Sequence, residues 1–131
     1  MEKWKKIFPG LIPRDNYEVF LKNGEEQGLV IKLLSKDYVV ELNFGMVSAM
    51  RMIDEGIILN DYFDNKISNE YEKENFSNTI YEVFDGEFDD FIKKTGGDLY
   101  DYCKLRHFVI ISLNFVIEIM TAYEPVINIY E

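Results

Sequence analysis

A pair of β-rich runs near the carboxyl end of the chain gives the clearest indication of the fold. Residues 104–112 and 115–122 are rich in valine, isoleucine and phenylalanine, and only two residues separate the runs. Two such runs joined by so short a turn predict an antiparallel hairpin within the main sheet. Pro125 interrupts the pattern, so the run at 126–130 is predicted to be an edge strand.

A second β-rich region precedes the middle of the chain, at residues 16–45. Apolar and polar side chains largely alternate there, which is the period of a strand with one buried face. Asn23-Gly24 is a strong turn signal, and Lys36-Asp37 supplies a second polar turn. The region therefore predicts a three-stranded meander.

Two further strands are predicted between these regions. Residues 47–59 combine apolar side chains with the β-branched pair Ile57-Ile58, which favours a strand, bent near residues 54–56. Residues 79–84 alternate in the same way and predict a short strand.

Helices are few and short in this interpretation. Residues 86–94 carry apolar side chains at helical spacing, and the glycine pair that follows ends the helix. Residues 2–8 predict a short amphipathic helix, with Trp4 and Phe8 on one face. Residues 60–78 are polar and highly charged, and predict a long surface loop with an exposed helical stretch.

The predicted fold class is therefore α+β. We expect a mainly antiparallel, curved or barrel-like sheet of about seven strands with two or three short helices. Residues 1–131 are predicted to form a single domain, since a chain of this length buries most of its unfolded surface in one core.

The formal net charge of −10 narrows the classes of partner. Binding to nucleic acid or to an anionic membrane depends on lysine and arginine, so neither is expected. A basic partner is compatible with this charge, because opposite charges steer association. Solubility alone is the alternative explanation.

The compartment is predicted from the single cysteine and from the amino terminus. Cys103 has no second cysteine to pair with, which is typical of a reducing compartment. The apolar stretch at 7–13 is short and contains two prolines, unlike a signal peptide. The apolar region at 108–120 is shorter than a membrane span. We expect a cytoplasmic protein.

No catalytic or metal motif is evident, so we expect no enzymatic activity and no cofactor. The chain contains no Gly-x-Ser-x-Gly element, and His107 is its only histidine. His107 is interpreted as a hydrogen-bonded sheet residue and Cys103 as a buried, inert thiol. The acidic run at 85–90 lacks the glycine and glutamate positions of a calcium-binding loop.

A local group of charged residues, Arg51, Asp54 and Glu55, is compatible with an alternative function. Arg51 stands close in sequence to Asp54 and Glu55, and an arginine beside acids in a curved sheet is able to hold a small ligand or a catalytic acid. The alternative function is thus a small-molecule-binding or enzymatic α+β domain. A salt bridge at a bend explains the same residues.

The acidic charge is concentrated in residues 61–101, which hold twelve acids and four bases and so account for −8 of the net charge. Ten aromatic residues lie in the same or adjoining positions, and aromatic anchors among carboxylates favour a positively charged protein surface. An exposed loop whose aromatics point into the core is the alternative. The predicted partner-binding residues are Asp61, Asp64, Glu82, Asp85, Glu87, Asp89, Asp90, Asp98 and Asp101.

Two stretches also resemble a known class of protein. VELNF at 40–44 leads to RMIDEG at 51–56, and LRHFVI at 105–110 leads to NFVIEI at 114–119 and EP at 124–125. This pattern of strands and turns resembles the immunity proteins of bacterial polymorphic or contact-dependent toxin systems. The resemblance implies a cytoplasmic protein that binds and neutralises a cognate toxin domain, often a nuclease. It implies no particular binding residues.

Overall fold

The computed structural model describes residues 3–24, 26–54, 79–97, 104–113 and 115–131. These residues form nine strands and one helix, here named α1. In chain order the elements are β1 (Lys3–Lys6), β2 (Glu18–Gly24), β3 (Gly28–Leu34), β4 (Val39–Gly45), β5 (Ala49–Asp54), β6 (Ile80–Phe84), α1 (Glu87–Gly96), β7 (Arg106–Ile111), β8 (Phe115–Thr121) and β9 (Val126–Tyr130).

The strands are divided between two antiparallel sheets. One sheet has five strands in the order β1-β6-β7-β8-β5, and the other has four in the order β2-β3-β4-β9. The pairs β4–β9 and β5–β8 form a two-stranded ribbon that passes from one sheet to the other. At the bend the amide of Ser48 donates a hydrogen bond to the carbonyl of Met120 at 2.9 Å.

The main core lies between the two sheets. Alternate residues of β3, namely Leu29, Ile31 and Leu33, are fully buried and form one cluster with residues such as Phe108 and Ile117 of the five-stranded sheet. Since side chains alternate across a strand, β2, β3, β4, β6, β7 and β8 each contribute the buried residues of one face to this core, whereas Trp4 of β1 belongs to a separate cluster.

The five-stranded sheet is also covered on its outer face. Trp4 and Tyr81 pack there with ring centroids 5.5 Å apart, together with Val109. Helix α1 packs on the same face, where the Phe88 ring meets the His107 imidazole edge to face at 5.7 Å. Burial on both faces explains why β7 and β8 are buried along almost their whole length rather than at alternate residues.

Most of the predicted elements are confirmed. The hairpin of 104–122 is the β7–β8 pair, the meander of 16–45 is β2–β3–β4, and the predicted edge strand is β9. The strand at 79–84 and the helix at 86–94 are confirmed as β6 and α1. The predicted strand at 47–59 is confirmed over Ala49–Asp54.

Three details of the predicted fold are wrong. The sheet is neither single nor barrel-like, because the described strands form two sheets that no ladder closes into a barrel. The described residues contain nine strands and one helix rather than about seven and two or three. The predicted helix at 2–8 is instead strand β1, paired with β6 so that Trp4 lies opposite Val83. Burying Trp4 on a sheet outweighs the weak helical preference of so short a segment.

Two further predictions fall on residues that the structure does not describe. These are the surface loop at 60–78 and the part of the predicted strand at 47–59 that follows Asp54. Within the described residues, no helix has the length and apolar character needed to cross a membrane.

Candidate protein-binding site

Helix α1 begins and ends with local signals. Gly86 precedes it in an extended conformation, and its amide donates a hydrogen bond of 3.0 Å to the carboxylate of Asp89. At the other end Gly97, with φ 53°, donates its amide to the carbonyl of Lys93 at 2.9 Å. Acids in the first turn and lysines in the last turn complement the helix dipole. The sequence thus fixes both the length of α1 and its charge asymmetry.

The exposed side of α1 is defined by four residues at i, i+3, i+4 and i+7 spacing: Glu87, Asp90, Phe91 and Lys94. We call this surface the α1 face. Phe91 is 61% exposed, although it stacks on the buried Phe88 with ring centroids 6.5 Å apart. The centre of the α1 face is therefore the exposed Phe91 ring, which packs on Phe88 and has Glu87 and Asp90 beside it.

The opposite side of α1 is anchored by a buried ionic contact. The imidazole of His107 lies between two carboxylates: Nδ1 is 3.1 Å from Asp89 Oδ1 and Nε2 is 2.9 Å from Glu118 Oε1. The His107 side chain is 1% exposed and that of Glu118 is 2% exposed. Both ring nitrogens lie within 3.1 Å of a carboxylate oxygen, although neither N–H is well aligned with its acceptor.

Arg51 extends this contact across the sheet. Its Nε donates a hydrogen bond to Oε2 of Glu118, and its guanidinium lies 4.9 Å from the centroid of the Phe88 ring. Asp89, His107, Glu118 and Arg51 therefore form a continuous row from α1 through β7 and β8 to β5, which we call the His107 network.

The electrostatics of this network favour its fully charged form. Burial alone lowers the pKa of His107, but the carboxylates of Asp89 and Glu118 outweigh burial and raise the pKa to about 9. Burial raises the pKa of Glu118, yet His107 and Arg51 hold it below its ordinary value. Two cations thus balance two carboxylates at neutral pH.

The network holds α1 against the five-stranded sheet. A general acid or base must reach its substrate within hydrogen-bond distance, whereas the His107 side chain is 1% exposed and enclosed by its partners. Its effect is to fix α1, and with it the α1 face, on the five-stranded sheet. His107 was interpreted as a hydrogen-bonded sheet residue: it does lie in β7, but neither ring nitrogen has an aligned hydrogen-bond acceptor.

A second charged cluster holds Glu82. Arg106 donates from Nε and Nη2 to the two carboxylate oxygens of Glu82 at 2.9 and 2.8 Å, and from Nη1 to Glu124 at 2.9 Å. Glu82 is 8% exposed and its charge is matched by this bidentate pair. Its carboxylate is therefore unavailable to a partner.

The predicted partner-binding residues separate into three groups. Asp85, Glu87 and Asp90 are exposed, at α1 or in the turn before it. Glu82 and Asp89 are buried in the two clusters described above. The third group, Asp61, Asp64, Asp98 and Asp101, lies outside the described residues. Cys103, which was interpreted as a buried thiol, also lies outside them.

The alternative site is only partly brought together. Arg51 is committed to Glu118 and Phe88, and Asp54 is exposed at the end of β5. Glu55 lies outside the described residues. A groove of about 500 Å³ lies elsewhere, on the outer face of the four-stranded sheet, and its lining includes Lys32 and Glu41. In the described part of the chain, no three His, Cys, Asp or Glu side chains are grouped to hold a metal ion.

The His107 network was not predicted from the sequence, although the proximity of His107 and Glu118 could have been predicted. Pairing of Ile111 with Val116 sets His107 and Glu118 on the same face of neighbouring strands. Nothing in the sequence indicates that Arg51 and Asp89 join them.

No family model, curated protein or solved structure matches the chain.

Proposed function

We propose that this chain is an immunity protein, which binds a basic toxin domain through the α1 face and neutralises it by covering its active site. The observation that carries the proposal is Phe91, which is 61% exposed on a helix whose other side is clamped to the sheet. The resemblance of the strand pattern to immunity proteins supplies the class of partner. The proposed role requires no catalysis, cofactor or nucleic acid.

The chemistry of the α1 face fits a desolvated contact with a cationic surface. Aromatic residues are enriched among the few side chains that supply most of the binding energy at protein interfaces. Around Phe91, Glu87 and Asp90 are placed to meet arginine or lysine of the partner. Charges at the rim of an interface mainly change the association rate, whereas a buried residue at its centre mainly changes the dissociation rate.

The rigid support of α1 favours tight binding. Side chains and segments that become ordered on association reduce the affinity, so a surface fixed beforehand loses less free energy. Phe88 supports Phe91 from below, and the His107 network fixes the start of the helix through Asp89. The face is thus presented in one orientation.

The function is tested by co-expressing the chain with a toxin domain. The domain to use is the variable carboxyl-terminal region of a large secreted protein encoded by an adjacent gene. The chain should restore growth to cells expressing that domain and should co-purify with it. Absence of such a gene, or a folded chain that neither protects nor binds, would contradict the proposal.

The site is tested by an aromatic pair of variants. Phe91→Ala should raise the dissociation rate about thirtyfold, equivalent to about 2 kcal/mol at a central anchor. The matched control is Phe20→Ala, since Phe20 is 56% exposed on the four-stranded sheet. Equal effects of the two substitutions would place the binding surface elsewhere.

A further inference from the structure

We propose that β9 is a dimerisation edge, at which a second copy of this chain adds antiparallel to extend the four-stranded sheet. In the described residues, β9 pairs on one side only, with β4. The exposed edge of a strand presents backbone N–H and C=O groups that another strand is able to pair with.

The composition of β9 distinguishes it from the other edge strands that the structure describes. Proteins commonly protect exposed edges with charged side chains, lysine above all. Strand β1 has three lysines among four residues, β2 contains Glu18 and Lys22, and β5 contains Arg51 and Asp54. Strand β9 has the sequence VINIY and carries no charge. It is therefore the one described edge without this protection.

The sequence of β9 suits pairing with the same strand of a second copy. Antiparallel pairing about a two-fold axis at Asn128 sets Val126 opposite Tyr130 of the other copy, and Ile127 opposite Ile129. The strand is therefore nearly self-complementary. Aromatic and β-branched residues form favourable cross-strand pairs, and the two central asparagines are able to exchange amide hydrogen bonds.

Burial along β9 supports this arrangement. Val126 is 63% exposed and Tyr130 is 53% exposed, on the outer face of the sheet. Ile127 and Ile129 are half-buried against the main core. A second copy would cover Val126 and Tyr130, and its own Ile127 and Ile129 would extend the core.

The dimer leaves the proposed toxin-binding surface open. Helix α1 packs on the outer face of the five-stranded sheet, whereas β9 is an edge of the other sheet. The proposed dimer edge and the α1 face therefore lie on different sheets. Two copies that each carry −10 repel one another, so added salt should strengthen the dimer.

The test is sedimentation equilibrium of the full chain from about 5 to about 500 µM, where a weak dimer populates by mass action. Asn128→Lys sets two like charges opposite each other at the axis and should weaken the dimer about fivefold or more. Asn23→Lys is the matched control, because Asn23 is exposed on the opposite edge strand and the change in net charge is the same. This control should dimerise as the wild type does.

A charge-swap pair separates edge pairing from a general effect of the substitution. Mixing an Asn128→Lys chain with an Asn128→Asp chain sets opposite charges at the axis, so the mixture should form heterodimers more tightly than either variant forms homodimers. Circular dichroism checks that each variant is folded. A wild-type monomer at every concentration, or equal effects of Asn128→Lys and Asn23→Lys, would overturn the proposal.

Discussion

Replacing His107 with glutamine removes the cation at the centre of the His107 network and leaves two carboxylates beside a neutral side chain. His107 is the only histidine of the chain, so its contribution to stability is separable by pH. A folded-state pKa of about 9 against an ordinary value of 6.5 corresponds to about 3 kcal/mol, at about 1.4 kcal/mol per pH unit.

The sign of the pH dependence follows from the raised pKa. Below a pH of about 6.5 the folded and unfolded chains both carry the proton, and the full stabilisation is present. Between about 6.5 and 9 only the folded chain holds it, so stability falls as the pH rises. Above about 9 the contribution is lost. The Glu118 carboxylate, whose pKa is lowered, contributes stability that is lost in acid instead.

The assay is urea unfolding of the wild type and His107→Gln at a series of pH values. Wild-type stability should fall by about 3 kcal/mol from pH 6.5 to 9, and the variant should lack this fall and be weaker by about 3 kcal/mol at pH 6. NMR titration of the wild-type imidazole gives the midpoint directly, even if the variant does not fold. A midpoint at or below 6.5, or stability that is flat across this range, would refute the reasoning.

Two other substitutions test the packing account. Arg106→Ala leaves the buried Glu82 without its bidentate partner and should cost about 3 kcal/mol in urea unfolding, whereas Glu124→Ala, which removes the exposed partner of Arg106, should cost about 1 kcal/mol or less. Gly28→Ala should cost about 2 kcal/mol or more, because Gly28 has φ +70° and an added Cβ would lie 2.1 Å from the Gly45 carbonyl carbon. Gly24→Ala is its control, since an added Cβ there meets nothing within 4 Å.

The elements that sequence reasoning predicted well are those whose local signals agree with their burial. The β7–β8 hairpin is apolar, β-branched and joined by a short turn, and α1 has apolar spacing followed by glycines. In β1 the local sequence signals do not agree with the burial, because Trp4 becomes buried only when β1 pairs with β6, which is distant in sequence. Pattern alone also does not separate one curved sheet from two packed sheets, since both require strands that alternate.

The sequence predicted the negative charge of the candidate site but not which of its acids are exposed and which are buried. The sequence predicted an acidic excess in residues 61–101 and marked Asp85, Glu87 and Asp90, which are exposed. It did not distinguish them from Asp89, whose neighbours in sequence are equally acidic. Asp89 is buried because the helix turns it towards His107, and that partner comes from a strand distant in sequence.

Binding of a basic toxin domain by the α1 face is tested by the association rate measured as a function of ionic strength. The double variant Glu87→Lys/Asp90→Lys should associate more slowly than the wild type, with a flatter salt dependence, because rim charges steer the encounter. The control Glu26→Lys/Asp37→Lys changes net charge equally at exposed turns of the four-stranded sheet, and should change the rate much less. Equal rates for the two double variants at every ionic strength would contradict the claim.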